Sequence, residues 1–301
     1  MKIGIDIGGS HIGIGLIING QILDKIEHDI TNIDKEDIEE AIKSIVYSNI
    51  DKLLNRNNLN MDDIELIGVA SPGIIRDGMI VKATNLGLMN YSICKIIEEK
   101  YPVETILKND GKAATQAEKE YGSMKEFNDF VYLCIGTGIG AGVMMEGKLL
   151  VPKRNNGFEI GHMVIEKEGI PCTCGRRGCF ERYASIKVFK NKIIKALNLN
   201  EDISGEELVN ILESENSNLA IQNIINEYIN DLYVGIANII NIFEPEAICI
   251  GGSFVFFKDI LLEKLKNKLT QENAIFNNKE IPNILCAKYK NDAGIIGAVI
   301  R

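Results

Sequence analysis

The sequence predicts an α/β protein with mixed sheets. Short runs of β-branched residues alternate along the chain with longer segments whose apolar residues recur at helical spacing, which is typical of this class. Two of the short runs end in glycine-rich turns and are followed at once by another run, so they predict hairpins. The chain has 301 residues, and about 150 residues per domain predicts two domains.

The predicted strands are short and rich in isoleucine and valine. In chain order they cover residues 2–7, 12–18, 64–70, 103–107, 130–135, 141–145 and 247–250. The predicted helices carry apolar residues on one face and cover residues 34–55, 110–121 and 218–243. We expect an N-terminal α/β domain of residues 1–117 plus 290–301, and a C-terminal α/β domain of residues 118–289.

The composition argues against several classes of protein. Lys and Arg total 33 and Asp and Glu total 42, so the net charge is −9, and an acidic chain suits DNA phosphates poorly. An acid at position 6 does not fit the apolar core of a signal peptide, and the apolar runs are shorter than the roughly 20 residues of a membrane helix. Seven cysteines, an odd number, fit a disulfide-paired secreted protein poorly. We therefore expect a cytoplasmic protein with no nucleic-acid or membrane partner.

Two glycine turns have similar sequences. Residues 4–10 are Gly-Ile-Asp-Ile-Gly-Gly-Ser, and residues 134–140 are Cys-Ile-Gly-Thr-Gly-Ile-Gly. Glycine lets the backbone approach a ligand closely, and successive backbone N–H groups can form an anion-binding nest, to which Ser10 and Thr137 would add hydroxyl donors. The alternative is that both hairpins are glycine-rich for steric reasons alone. Two copies, one in each predicted domain, favour a polyphosphate site in a cleft between the domains.

These turns differ from the common nucleotide-binding motifs. The chain contains no Gly-x-x-x-x-Gly-Lys-Ser/Thr segment, which excludes a Walker loop. A dinucleotide-binding fold opens a helix after its glycines, whereas both turns here lead into another strand. This arrangement indicates the fold of the actin-like ATPases (ribonuclease H-like).

A cluster of cysteines carries the most specific chemical signal. Cys172, Cys174 and Cys179 follow His162, and three thiolates with one imidazole form a standard closed tetrahedral zinc site. Glycines inside the cysteine loop would let it fold tightly enough for the three sulfur atoms to converge. The alternative is that the three cysteines cluster by chance.

Two acids flank this loop. Glu159 precedes His162 by three residues, and Glu181 follows Cys179 by two. Two carboxylates could accept hydrogen bonds from the hydroxyl groups of a polyol. The ring N–H that does not bind zinc could donate a further hydrogen bond to it. Taken alone, either acid could equally be a solvated surface residue.

Asn109-Asp110 lies where a predicted strand meets a predicted helix. Active-site residues of α/β folds gather at such junctions. The alternative is that Asp110 simply caps the helix in an Asn-Asp-Gly turn.

These motifs together resemble the ROK family (repressors, open reading frames, kinases). The resemblance extends from residue 3 to residue 300. Its segments are Asp-Ile-Gly-Gly-Ser at 6–10, Asn-Asp at 109–110, Gly-Thr-Gly-Ile-Gly at 136–140, Glu-Ile-Gly-His-Met at 159–163, Cys-x-Cys-Gly-x-x-Gly-Cys-x-Glu at 172–181, Gly-Gly-Ser at 251–253 and Asn-Asp-Ala-Gly-Ile-Ile-Gly-Ala at 291–298.

The resemblance implies a two-domain actin-like fold and transfer of the γ-phosphate of ATP, with Mg²⁺, to a sugar hydroxyl. The sugar would be a hexose or an N-acylhexosamine, the hydroxyl most commonly the 6-hydroxyl, and Asp110 the catalytic base. The zinc would be structural, and the protein a homodimer. The resemblance implies sugar-binding roles for Gly73, Asn85, Asn109, Asp110, Glu159, His162 and Glu181. It implies contacts with the nucleotide or its Mg²⁺ for Asp6, Gly8, Gly9, Ser10, His11, Gly136, Thr137, Gly138, Gly140, Gly251, Gly252 and Ser253.

Three positions depart from the pattern of the family. His11 stands where Lys is frequent, Gly111-Lys112 where Ala-Asn is common, and Phe158 where a small residue is usual. These departures bear on the identity of the sugar more than on the reaction.

Two other functions stay open. A repressor of this family would carry a DNA-binding segment before the first glycine turn, whereas that turn begins here within ten residues of Met1. A sugar sensor without catalysis would be expected to have lost Asp110 or one of the turns.

Overall fold

Two structural units divide the chain in the computed structural model, which describes residues 1–153, 158–215, 217–272 and 280–301. Unit 1 consists of Met1–Glu126, Lys148–Gly157 and Asn291–Arg301. Unit 2 consists of Phe127–Gly147 and Phe158–Lys290.

The strands of the described residues form three sheets. They are β1 (Lys2–Ile7), β2 (His11–Ile18), β3 (Gln21–Asp29), β4 (Leu66–Ser71), β5 (Ile74–Arg76), β6 (Met79–Ala83), β7 (Leu88–Tyr91), β8 (Thr105–Asn109), β9 (Phe130–Ile135), β10 (Ile139–Met145), β11 (Lys148–Leu149), β12 (Ala247–Gly251) and β13 (Asn283–Cys286). Their orders are β3-β2-β1-β4-β8, β11-β10-β9-β12-β13 and β5-β6-β7.

The helices alternate with these strands. They are α1 (Ile38–Arg56), α2 (Ile93–Lys100), α3 (Asp110–Glu120), α4 (Glu181–Ala184), α5 (Ile186–Leu197), α6 (Gly205–Ser214), α7 (Leu219–Phe243), α8 (Lys258–Glu272) and α9 (Ala293–Ala298). Short 3₁₀ turns cover Met61–Asp63, Ile160–His162, Gly252–Phe257 and Lys290–Asp292. Within the described ranges, no helix combines the length and the apolar character needed to cross a membrane.

Both predicted hairpins are confirmed, and each glycine turn closes one. Strands β1 and β2 pair antiparallel, as do β9 and β10. The first strand of each hairpin also pairs in parallel with a later strand, β4 for β1 and β12 for β9. The sheets are therefore mixed, as the sequence predicted.

The register of the first sheet places two candidate residues at one edge. Asp6 of β1 lies opposite Ala70 of β4, and Ala70 lies opposite Lys108 of β8 in a parallel ladder. The carboxyl ends of β1, β4 and β8 therefore meet at one edge, which is where ligands bind in open α/β sheets. Asp6 and Asn109-Asp110, which directly follow Lys108, therefore lie at this edge.

Several predicted boundaries were wrong by two to four residues, and one helix start and one strand end show why. The helix predicted from residue 34 begins at Ile38, because the preceding residues form a turn in which the Asp37 N–H donates to the Asp34 carbonyl at 3.0 Å. The strand predicted to end at residue 107 continues to Asn109, because β8 pairs with β4 as far as Ser71. Pairing between strands, rather than local sequence, decides where this strand ends.

Helix α9 lies directly on the first sheet because glycines form the surface beneath it. A Cβ atom at Gly4 would overlap the Ile295 carbonyl, and one at Gly13 would come within 2.9 Å of the Ile295 side chain. The Lys2 ammonium donates to the Val299 carbonyl at 3.3 Å, beyond the C-terminal end of the helix. Lysines suit helix C-termini because they pair with carbonyl groups left without helical partners.

Candidate functional site

The first candidate residues lie where β8 ends and α3 begins. Asn109 is the N-cap of the helix, and its Oδ1 accepts a hydrogen bond from the Lys112 backbone N–H at 3.3 Å. Its Nδ2 donates to the Gly73 carbonyl at 3.4 Å. Asp110 is the first helical residue, and its Oδ1 accepts a bond from the Gly111 N–H at 2.7 Å. The capping role that the sequence left open for Asp110 therefore belongs to Asn109.

Asp110 and Asp6 influence each other electrostatically. Burial raises the pKa of Asp110, against the backbone hydrogen bond from Gly111, which lowers it. Burial, followed by the negative charges of Asp110 and Asp292, raises the pKa of Asp6 to about 7. Neighbouring buried carboxyl groups resist ionising together, and such groups are suited to accept a proton or hold a cation.

Replacing Asp6 with asparagine should stabilise the protein at pH 8 in the absence of ligands. The native carboxyl holds its proton up to about pH 7, whereas an unfolded Asp loses it near pH 3.8, so the free energy of unfolding falls as pH rises between these values. The full difference between the native and unfolded pKa values corresponds to a loss of about 4 kcal/mol in the free energy of unfolding. Asp6 is half-buried, so solvent screens part of this difference, and we expect a gain of about 2 kcal/mol in the free energy of unfolding, measured by urea unfolding.

The pH dependence of the gain in unfolding free energy tests whether the gain is electrostatic. Below about pH 4 the carboxyl is protonated in both states, so Asp6→Asn should then unfold at nearly the same urea concentration as the wild type. An equal gain at pH 4 and pH 8 would contradict the electrostatic explanation.

The first glycine turn joins β1 to β2. The Gly8 N–H donates to the His11 carbonyl at 2.8 Å, and the Ser10 hydroxyl lies 3.3 Å from Nδ1 of His11. Gly9 and Ser10 are exposed. A Cβ atom at Gly9 would lie 3.4 Å from Nδ2 of Asn85, so the structure brings Asn85 to this turn.

The second glycine turn joins β9 to β10 and lies beside the segment that follows β12. The Gly136 N–H donates to the Gly138 carbonyl at 2.9 Å. A Cβ atom at Gly136 would lie 3.6 Å from the Ser253 hydroxyl. Gly252 has a φ of +69°, which favours glycine, and a Cβ there would come within 2.7 Å of the Ile135 carbonyl. The structure therefore brings the predicted 136–140 and 251–253 segments together.

The four predicted metal ligands converge. One ligand atom from each of His162, Cys172, Cys174 and Cys179 lies within 4.8 Å of all the others. The Sγ atoms of Cys174 and Cys179 are 3.6 Å apart, and Sγ of Cys172 is 3.6 Å from Nδ1 of His162. Tetrahedral zinc with bonds of about 2.3 Å to sulfur and about 2.0 Å to nitrogen sets ligand atoms roughly 3.5–3.8 Å apart. The residues present therefore fit zinc.

The backbone of the loop brings these thiols together and lowers the pKa of one of them. Gly178 has a φ of +75°, and a Cβ there would overlap the Glu166 carbonyl, so the turn requires glycine. The Cys172 N–H donates to the Arg176 carbonyl at 2.8 Å and closes the loop. A hydrogen bond from the Arg176 backbone N–H leads the interactions that lower the pKa of Cys174 to about 6. The thiolate form of Cys174 is thereby favoured, whereas burial raises the pKa of Cys172 and raises that of Cys179 to about 12.

Glu181 connects this cluster to the second glycine turn. Its Oε1 lies 3.3 Å from Sγ of Cys172 and 3.5 Å from Nδ1 of His162. A Cβ atom at Gly138 would lie 2.8 Å from Oε2 of Glu181. A Cβ at Gly161 would overlap the carbonyl of the residue that begins β10. The loop that carries the cysteine cluster and the second glycine turn are thus packed against each other in unit 2.

The predicted site residues fall into two groups, one in each unit. Unit 1 holds Asp6, Gly8, Gly9, Ser10, His11, Gly73, Asn85, Asn109 and Asp110. Unit 2 holds Gly136, Thr137, Gly138, Gly140, Glu159, His162, Cys172, Cys174, Cys179, Glu181, Gly251, Gly252 and Ser253. Glu159 stands directly before the Ile160–His162 turn, where its carbonyl accepts from the His162 N–H at 2.9 Å.

Comparison with known proteins decides the family. The sequence profile of the ROK family matches residues 2–300. The chain belongs to the ROK family.

Its ROK relatives include both repressors and kinases. The xylose repressor of Caldicellulosiruptor bescii is 30% identical over 311 residues, which cover 99% of this chain and 76% of the repressor. The N-acetylmannosamine kinase of Shigella boydii is 30% identical over 301 residues, which cover 98% of this chain and 96% of the kinase.

The solved structures of ROK proteins show the fold. A ROK family glucokinase from Streptomyces griseus, solved in complex with glucose and AMPPNP, superimposes with a TM-score of 0.83 at 22% identity. The match covers 99% of this chain and 97% of that chain. This chain has the actin-like ATPase fold of the ROK sugar kinases, as the two strand–turn–strand segments predicted.

The three departures from the ROK pattern have distinct surroundings. The His11 ring lies against the Ser10 hydroxyl in the first turn. Lys112 is buried in the first turn of α3, with 6% of its surface exposed. The ring of Phe158 meets that of Phe243 edge-to-face, with centroids 5.9 Å apart. Phe158 is thus anchored on the end of α7.

The sequence predicted no role for two charged residues that pair with each other, Lys25 and Asp292. Lys25 lies on β3, a strand that was not predicted because residues 21–29 alternate only weakly between apolar and polar. Asp292 belongs to the 291–298 segment of the ROK resemblance, and its negative charge contributes to the raised pKa of Asp6. Its position as the N-cap acid of a short helix is the signal that could have marked it.

Proposed function

We propose that this chain is an ATP-dependent sugar kinase that transfers the γ-phosphate of ATP to the 6-hydroxyl of a hexose or an N-acylhexosamine. The observation that carries the proposal is the state of Asp110: it is half-buried, burial raises the pKa of its carboxyl group, and its charge acts on Asp6 at the carboxyl edge of the sheet. Because Asn109 caps α3, Asp110 is available for chemistry. A kinase relative that matches over 96% of its own length supports this.

In this mechanism Asp110 orients the attacking hydroxyl and accepts its proton. A sugar hydroxyl is far less acidic than a carboxylic acid, so the proton moves late, as the hydroxyl oxygen bonds to the γ-phosphorus and the bond from that phosphorus to the leaving ADP oxygen breaks. The Ser10 and Thr137 hydroxyls donate to the phosphates, as do backbone N–H groups of their turns other than those of Gly8 and Gly136, which bond within the turns. Asp6 would hold Mg²⁺, which neutralises phosphate charge when bound with ATP.

The sugar-binding roles divide between amide, carboxylate and imidazole groups. Nδ1 of His162 faces the cysteine cluster, so the opposite ring nitrogen, Nε2, is the one that can donate to a sugar hydroxyl. Zinc would then fix the tautomer and orientation of this ring. We assign the remaining sugar contacts to Gly73, Asn85, Asn109, Asp110, Glu159 and Glu181.

We also propose an oligomeric state, a cellular location and domain boundaries for this protein. We expect a homodimer that acts in the cytoplasm, with domains of residues 1–117 plus 290–301 and 118–289. Net charge of −9 supports the absence of a nucleic-acid partner. Light scattering coupled to gel filtration tests the dimer.

A coupled assay of ADP release over a panel of hexoses and N-acylhexosamines tests the function. With Mg²⁺ and zinc supplied, at least one sugar should be phosphorylated with kcat of about 1–100 s⁻¹, the range usual for kinases. Sugar binding by calorimetry without turnover on any member would contradict the kinase and favour a sugar sensor. Sugar-dependent binding to DNA would favour the repressor function of the xylose repressor relative.

A further inference from the structure

An ion pair joins β3 to the residue that precedes α9. The Lys25 ammonium lies 2.7 Å from Oδ1 of Asp292 and 2.8 Å from Oε1 of Glu27. The side chains of Lys25 and Asp292 are 30% and 37% exposed, so the pair is partly shielded from solvent. Partial burial strengthens an ion pair relative to one that is fully exposed.

The register of the sheet places this pair on the same face as Asp6. Asp6 lies opposite Gly13, and Gly13 lies opposite Glu27, so these three residues form one row across β1, β2 and β3. Lys25 lies two residues before Glu27 and therefore on the same face of β3. Gly13 has no side chain, and the side chain of Ile295, from α9, covers this row between Asp6 and the charges on β3.

The start of α9 forms a wall against Asp6. A Cβ atom at Gly294 would overlap the Asp6 carboxylate, so the backbone of the helix directly contacts this group. Asp292 precedes Gly294 by two residues, and its ion pair with Lys25 therefore holds the segment that forms the wall. At the other end, the Lys2 ammonium holds the Val299 carbonyl.

We propose that Lys25 and Asp292 are a positioning pair for the phosphate site. By holding the start of α9 against β3, the pair keeps Gly294 in contact with Asp6 and so fixes the orientation in which the Asp6 carboxylate meets the nucleotide. This inference rests on the proposed function, because it takes Asp6 to act at the Mg²⁺ of the bound nucleotide. Neither residue touches the substrate; both act through the wall.

Calorimetry with AMPPNP and Mg²⁺ tests the pair without requiring turnover. We expect Lys25→Met to weaken AMPPNP binding about 5- to 10-fold, the effect of losing one charge-assisted contact, and to leave sugar affinity unchanged. Asp292→Asn should also weaken binding, but by less, because removing the Asp292 charge lowers the pKa of Asp6 and favours its ionised form. The double variant should bind no worse than either single variant, because both substitutions break one interaction. Lys25→Arg, which keeps the charge, should restore most of the affinity.

Lys2→Met is the matched control, since it removes a lysine from the far end of the same helix. It should lower the unfolding temperature but leave AMPPNP affinity within about 2-fold of wild type. If Lys25→Met also lowered only the unfolding temperature, the pair would be structural and the inference wrong. A wild type that binds AMPPNP but phosphorylates no sugar contradicts the proposed function alone, whereas one that binds no AMPPNP contradicts both.

Discussion

Replacing Asp110 with asparagine should lower kcat by about 10³-fold, within the range of 10² to 10⁴ that a general base contributes. Asparagine has nearly the same shape, and its side-chain oxygen can still accept the bond from the Gly111 N–H. It cannot take the proton of the sugar hydroxyl. We therefore expect sugar affinity within about 3-fold of wild type and an intact fold, with the loss confined to turnover.

Three measurements separate this role from a structural one. The coupled ADP-release assay gives kcat, calorimetry gives sugar affinity, and urea unfolding gives stability. Because burial raises the pKa of Asp110, the neutral amide should also leave the protein equally stable or more stable at pH 8. Turnover near the wild-type rate in Asp110→Asn would exclude this residue as the base. Asp62→Asn, at an exposed position of unit 1, is a control for the substitution itself.

Loss of the metal should have the second largest effect. Cys179 is fully buried, and Cys179→Ser removes one of four converging ligands. Because binding to a folded site adds directly to folding free energy, we expect a loss of about 3 kcal/mol or more in unfolding free energy. Sugar affinity should fall about 10-fold or more, since His162 loses the metal that orients its ring and Glu181 packs on Cys172.

A chelator separates the metal from the substitution. Zinc content is measured by mass spectrometry before and after chelation of the wild type, and sugar affinity by calorimetry in each state. Returning zinc should restore both affinity and stability. Cys286→Ser, a half-buried thiol outside the cluster, should keep its zinc and its sugar affinity. Unchanged sugar affinity in verified zinc-free protein would contradict the role given to His162.

The motifs that the sequence identified correctly are local ones. A strand, a glycine turn and a returning strand lie within about 15 residues, so composition and order suffice to predict the two hairpins. Three of the metal ligands lie within eight residues, and their spacing alone predicts that their thiols can converge. Asp110 was recognised at a strand-to-helix junction for the same reason. What stayed open was whether it capped the helix, because Asn109 and Asp110 are both good caps.

By itself, the sequence determined the fold class, both glycine hairpins, the Cys/His cluster and the ROK resemblance, because each depends on residues near one another in the chain. Tertiary structure alone decided that Asn109 caps α3, that Glu181 joins the metal loop to Gly138, and that Lys25 reaches Asp292 across 267 residues of sequence. These contacts depend on which strands pair and in what register. Gly294 has no side chain whose chemistry could predict a contact with Asp6. Only the folded chain shows that the backbone of Gly294 contacts the Asp6 carboxylate.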